Sequence, residues 1–257
     1  FDKCQYQEAK TLADYAVDYL NASRFVLFYR SDSKSFDLMQ TFAERIRAKG
    51  GKVVGIAKIN KNTVDFNDVF KSFTGGFKIR SEEDLEELKL TRQRPKPLVD
   101  FDAIYLPADV RTVKVVSDFA KLFDAGKVWL LSGSEINVRE NHLLTSSQRL
   151  RFVDTYPVSH MKTFLQPFFE SHWKYFNHRP RYYAPTSYTI YGYEAIEILE
   201  KLLQEPKNRN REALRDSLKT LENVEVLTGL VGAEAGGELN KQLKILMIRK
   251  NDTVSVF

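Results

Sequence analysis

Cysteine is almost missing from this chain. Cys4 is the single one among 257 residues, so no disulfide can form within it. That leaves the redox compartment open, because many proteins of oxidising compartments also lack disulfides. Long apolar runs are missing too, and none approaches the roughly 20 residues that a membrane-spanning helix needs. No phosphate cradle is present. The loop Ser31 to Ser35 has no glycine, and Thr74-Gly75-Gly76 follows a helix rather than a strand. The four histidines, His142, His160, His172 and His178, show no HExxH-like spacing, so no metal site is expected. No GxSxG elbow occurs, and Cys4 has no histidine close in sequence to activate it. Charge of one sign is scarce as well. The excess is +5, from 39 basic and 34 acidic residues in alternation, which implies no nucleic-acid partner. The sequence therefore predicts no enzyme, no cofactor and no metal. The opening FDKCQ has no initiator Met and no apolar segment before Cys4. Neither a signal peptide nor a lipid-attachment box is read there, and a processed or excised piece of something longer is expected.

Aromatic residues, by contrast, are plentiful at 12%, led by 18 Phe and 12 Tyr, enough for large cores or an aromatic-lined cleft. Ala9, Leu12, Ala13, Ala16, Val17 and Leu20 recur at helical spacing. Phe25 to Tyr29 then reads as a buried strand. Phe36, Met39, Phe42, Ala43 and Ile46 predict a second helix, stopped by Gly50-Gly51. A strand over Val53 to Ala57 and a short helix near Phe66 to Phe73 follow. From Thr74 to Pro97, residues 74–97, the rhythm breaks into a charged, proline-bearing surface insertion with one short helix. Strand Ala103 to Leu106, helix Val110 to Phe123 and strand Val128 to Leu131 resume it. Such alternation predicts an α/β fold with a doubly wound parallel sheet.

From about Tyr156 the character changes. Long helices are expected over Phe164 to Phe176 and Thr186 to Gln204, and another from Arg211 to Leu221, started by Asn210. Two antiparallel strands close the chain, Leu243 to Arg249 and Thr253 to Phe257. The simplest partition is an α/β lobe over 1–156, a partial, mainly helical lobe over 157–240, and closing strands over 241–257 that return to the α/β lobe. HWKYFNHRPRYYAPTSY, His172 to Tyr188, interleaves basic and aromatic residues. It reads as a helix with an inward aromatic face and a proline-punctuated loop rather than a single-strand nucleic-acid surface.

Ligands of doubly wound sheets collect at the carboxyl ends of the strands. Three loops qualify: Ser31 to Ser35, Pro107 to Asp109 and Ser132 to Glu135. Parallel strands place all three on one edge, with hydroxyls, an ammonium and two carboxylates that suit a zwitterionic or polar solute. Ser33, Ser35, Asp109 and Ser134 are equally good N-caps for the helices that follow, so capping and ligand contact both stay open. Lys34 is either a contact or a solvated loop tip. Glu135 is a ligand contact or a cap rather than a general base.

In order and spacing, the segments resemble the type I periplasmic binding proteins, the group that includes branched-chain amino-acid receptors. YQEAKTLADYAVDYLNASRFVLFY looks like the opening helix and strand of that family's second lobe. FAERIRAKGGKVVGIAKINKNTVDF and VDFDAIYLPADVRTVKVV look like the passages that follow. FFESHWKYFNHRP and SYTIYGYEAIEILEKLL resemble the paired helices returning to the first lobe, and LTGLVGAEAGGELNKQLKILMIRKNDTV its closing strands. The insertion resembles a branch of cell-envelope lipoproteins related to activators of penicillin-binding proteins, which need not serve a transporter.

The resemblance implies a solute-binding-like domain of the periplasm or cell envelope, with a small polar or amino-acid-like ligand in an interlobe cleft. It also implies the contacts. Lys34 and Ser35, beside Ser33, match one ligand loop, and Ala108 and Asp109 match a second. Glu135, after Ser134, matches the acidic position that pairs an ammonium, and Tyr193 an aromatic flanking the cleft. Two departures stand out. The first half of the first lobe is absent from the match, and Lys34-Ser35 stands where the family commonly has Tyr-Gly. The alternative they imply is a ligand-free interaction scaffold, such as a regulator of peptidoglycan synthesis with an envelope protein partner.

Overall fold

The structure, a computed structural model, describes residues 5–60, 63–74, 97–144, 147, 149–155, 165–176, 187–233, 239–249 and 252–256. The chain opens with α1 (Gln5–Asp18), β1 (Arg24–Arg30), α2 (Ser33–Ala48), β2 (Lys52–Ile59) and α3 (Asn67–Phe73). It continues through β3 (Ala103–Tyr105), α4 (Val110–Leu122), β4 (Trp129–Ser132) and β5 (Leu150–Asp154). After α5 (Gln166–Tyr175), α6 (Ser187–Leu203) and α7 (Arg211–Lys219) come β6 (Val224–Val226), β7 (Gly229–Ala233) and β8 (Leu239–Lys241). The closing pair is β9 (Lys244–Arg249) and β10 (Asp252–Ser255).

Strands β1 to β5 with β9 and β10 form one seven-stranded sheet in the order β10-β9-β5-β4-β3-β1-β2. β1 to β5 are mutually parallel, whereas β9 runs antiparallel to β5 and β10 antiparallel to β9. The strand RFVLFYR shows why its apolar run is continuous. Phe25 and Leu27 face α1 and α2, while Val26 and Phe28 face α3 and α4, so both faces are covered. On one side Leu12, Ala16, Phe42 and Ile46 pack beneath Tyr105 and Leu131. On the other, Phe66, Phe70, Val113 and Val116 pack on Phe28, Ile104 and Phe152. This is the doubly wound sheet that the alternating pattern predicts.

Local signals match at several ends. Gly50 holds φ +86 after α2, where its amide donates to the Arg47 carbonyl and Gly51 donates to Ile46. A residue without Cβ adopts that left-handed turn with the least strain. Asn210 caps α7 by accepting from the Ala213 amide at 2.8 Å. Thr74 and Leu98 meet through a backbone hydrogen bond of 2.7 Å, so the insertion leaves and rejoins the lobe at one place. Its interior, 75–96, lies outside the described residues, as do Tyr156, Cys4 and the proline loop after α5.

Other expectations need correction. Phe36 is not a core residue of α2. It is 38% exposed and meets Tyr29 edge-on, while Leu38 is buried instead. The aromatic face of α5 does not all turn inward, because Trp173 packs inside and Tyr175 is 85% exposed. β5 goes unread in the sequence because Arg151 interrupts a short apolar stretch. After α7, the strands β6, β7 and β8 form an antiparallel sheet of their own. Against that sheet, Ile198 of α6 packs with Leu221, Val226 and Val231. Glu194, fully buried on α6, accepts from the Thr228 amide and hydroxyl and pairs with Lys241.

Candidate functional site

Parallel pairing of β1, β3 and β4 places their carboxyl ends side by side, with β3 in the middle. Loops 31–33, 106–109 and 133–137 therefore share one edge. Across it, the guanidinium of Arg30 at the end of β1 grips the Glu135 carboxylate beyond β4, at 3.1 and 3.2 Å. Two parallel N–H···O bonds fix both planes, which a lysine could not do. Arg30 also lies 3.3 Å from Asp32. The pair is only partly shielded, with side chains 27% and 30% exposed.

The first loop differs from expectation. Neither Ser33 nor Ser35 caps α2; Asp32 does, accepting from the Ser35 amide at 2.7 Å. A carboxylate is a stronger acceptor than a hydroxyl for the unpaired amides at a helix start. Ser35 is 1% exposed, and its hydroxyl accepts from the Arg30 amide. Its side chain locks the strand end instead of facing a solute. Ser33 and Lys34 remain exposed in the first turn of α2. In the second loop Ala108 is fully buried in the core, so its methyl offers no surface to a ligand. Asp109 caps α4, accepting from the Arg111 and Thr112 amides at 2.9 and 3.0 Å.

The third loop is held from below. Ser132 donates to the Leu106 carbonyl, tying β4 to the end of β3. Ser134 does not cap the short turn 134–136; Gly133 holds that position without a side-chain bond. Instead the Ser134 amide donates to the carboxylate of Glu8, a 4% exposed residue of α1. Beneath them Tyr105 stacks on Phe42 with centroids 4.0 Å apart. Burial, together with the carboxylates of Glu8 and Glu135, pushes the Tyr105 phenol far above its ordinary range, so it stays protonated.

The edge thus gathers Asp32 and Glu135 at the guanidinium of Arg30, with Glu8 at the Ser134 amide and Lys34 exposed in the first turn of α2. The enclosed crevice between Glu8, Leu38, Tyr105, Pro107 and Glu135 measures about 10 Å³, room for one water. That space is too small for an amino acid, which leaves the open rim as the candidate surface. Tyr193 comes from the other unit, where its half-exposed ring meets Phe168 edge-on at 4.9 Å. Among the described residues no cluster of His, Cys, Asp and Glu is placed to hold a metal. No described helix is long and apolar enough to cross a membrane.

Sequence reasoning missed Arg30, Asp32, Glu8 and Tyr105. Arg30 carried a signal, being the charge that ends the run Phe25 to Tyr29 at the carboxyl edge of the sheet. Glu8 carried none, since one buried carboxylate on α1 looks like any polar residue of an amphipathic helix.

No family model matches the chain, and no curated protein matches it in sequence. Solved structures do match. A leucine-binding protein of Thermotoga maritima aligns over 98% of this chain at 17% identity, with TM-score 0.65. A branched-chain amino acid transporter substrate-binding protein of Streptococcus pneumoniae, solved with isoleucine, aligns over 98% at 14% identity and TM-score 0.62. A periplasmic ligand-binding protein of a branched-chain amino acid ABC transporter from Burkholderia xenovorans aligns over 98% at 12% identity and TM-score 0.69. The chain spans 65%, 65% and 62% of these proteins' lengths. It has the type I periplasmic-binding-protein fold over that part.

Proposed function

We propose that this chain is a non-catalytic solute-binding unit of the periplasm or cell envelope, taking an amino-acid-like ligand in a cleft between two lobes. The lobes are 1–156 joined by 241–257, and 157–240. The Arg30–Glu135 pair carries the reading. It holds a cation and an anion together on the functional edge, each about a quarter to a third exposed. A zwitterion can divide that pair, its ammonium meeting Glu135 and its carboxylate meeting Arg30 with help from Lys34. Ser33, Asp109 and Ser134 form the polar rim, Ser35 and Ala108 support it from inside, and Tyr193 flanks the solute upon hinge closure. Binding of branched-chain amino acids by the structural relatives supports this class of ligand.

Isothermal titration of the full-length protein with amino acids, small peptides and cell-wall fragments tests it. Saturable binding that Glu135→Gln weakens at least tenfold is the expected result. No binding of any of these solutes overturns the reading.

A second reading, a ligand-free scaffold for an envelope partner, draws on a different observation. Arg30, Ser35, Asp109 and Glu135 each already have an internal partner, and the enclosed space holds only a water. It expects Glu135→Ala to leave the partner complex intact while charge reversals within 74–97 disrupt it.

A further inference from the structure

A cavity lies at the opposite edge of the sheet. It measures about 230 Å³ and opens between the carboxyl-terminal half of α4 and the starting ends of β4 and β5. An engineered cavity of about 150 Å³ holds benzene, so this one accommodates a body the size of a leucine side chain or a phenyl ring. Ile104, Leu130 and Leu150 supply apolar wall, and Ala120, Ala125 and Gly126 keep the space open by being small.

The polar lining is one-sided in chemistry. Lys121 stands at the cavity, and among the described residues it is in no ion pair. The stem of Lys121 lies over Gly126, where an added Cβ would sit 3.3 Å from its Cγ. Arg149 carries its guanidinium to the other face of the sheet, where it stacks on Trp129 with its carbon 4.9 Å from the ring centre. Deeper in, the hydroxyls of Ser117 and Ser147 meet at 2.5 Å, the two residues being 6% and 9% exposed. Two hydroxyls carry two protons, and their mutual bond uses one. Among the described residues no acceptor takes the other. No carboxylate lines the described wall. The carbonyls that end α4 are already engaged, those of Phe119, Ala120 and Lys121 accepting from Phe123, Ala125 and Asp124. Donors without acceptors around an apolar space select a ligand with acceptor oxygens, negative charge and an apolar body.

We propose that this cavity is a second binding site, for a small monocarboxylate bearing a branched or aromatic apolar group, with Lys121 on the carboxylate and Ser117–Ser147 donating into the space. It is independent of the site at the other edge, because it uses neither Arg30 nor Glu135.

Titration of the full chain with 4-methylpentanoate and phenylacetate tests it, the two amides serving as uncharged isosteres. Neither acid carries an amino group, so a zwitterion site gives them little. The expected result is saturable binding of an acid, at least tenfold weaker for its amide and for Lys121→Ala, and unchanged in Glu135→Gln. Lys121 is a surface cation, and a retained thermal midpoint confirms folding. Gly126→Leu supplies a second arm, since filling the cavity must abolish binding. No binding of either acid, equal binding of acid and amide, or loss of binding in Glu135→Gln instead overturns the proposal.

Discussion

The guanidinium of Arg30 and the carboxylate of Glu135, 105 positions apart in sequence, meet through two hydrogen bonds across the end of the strand between them. Because the pair keeps some solvent, its coupling energy is expected to be about 1 kcal/mol. A cycle of Arg30→Ala, Glu135→Ala and the double variant, followed by urea unfolding, measures it. The coupling should shrink as salt is raised from low to about 1 M. A coupling of zero at low salt contradicts the geometry.

Asp102 makes a pH-dependent tie between β1 and β3. Its carboxylate accepts from the Ser23 amide, the Ser23 hydroxyl and the Arg24 amide at 2.8, 2.9 and 2.9 Å. Partial burial works to raise its pKa, but these bonds and the Arg24 charge outweigh it and hold the carboxylate below its ordinary 3.8. A depressed folded value means the contribution is fully present above about pH 4 and fades as pH falls through the lower value. Asp102→Ala should cost about 1–2 kcal/mol at pH 7, where two backbone amides lose their acceptor. The cost should diminish below pH 3, read from urea melts at both pH values.

Glu194 is the most deeply buried charge described in the second unit. Lys241, itself 12% exposed and lying over the Tyr191 ring at 5.4 Å, neutralises it. Lys241→Met should destabilise that unit by about 3–5 kcal/mol, because the carboxylate is left without its cation. Glu194→Gln/Lys241→Met together should recover much of the loss. Thermal unfolding of the three proteins decides it.

Gly55 on β2 has the ring of Phe73 against it. A Cβ there would lie 2.5 Å from the Phe73 Cε1, closer than side chains pack. Gly55→Ala should cost about 1–3 kcal/mol, the usual result of overpacking. Adding Phe73→Leu should relieve part of that cost in the same unfolding assay.

These residues also mark what the sequence discloses. The central strand and the helices around it are legible because Phe25 to Phe28 are buried on both faces and α2 repeats every three to four positions. Gly50 is legible because a left-handed helix end favours one residue type. β5 is not, since Arg151 masks its alternation, and β6 to β8 are too short to show a period. The N-cap of α2 is ambiguous because Asp32, Ser33 and Ser35 all have capping side chains, and only geometry selects the aspartate. Arg30 and Glu8 are opaque for a different reason. Their partners lie more than 100 positions away, and strand order alone creates those contacts.

The antiparallel closure of the main sheet has a consequence for synthesis of the protein. Val153 of β5 pairs with Ile245 of β9, so everything from 155 to 243 emerges from the ribosome between the two halves of that ladder. Until β9 arrives, β5 presents an unpaired edge with Phe152 and Val153 incompletely covered. The nascent chain is therefore most vulnerable to misassociation in that interval, and truncation before β9 leaves an aggregation-prone product rather than a smaller stable domain.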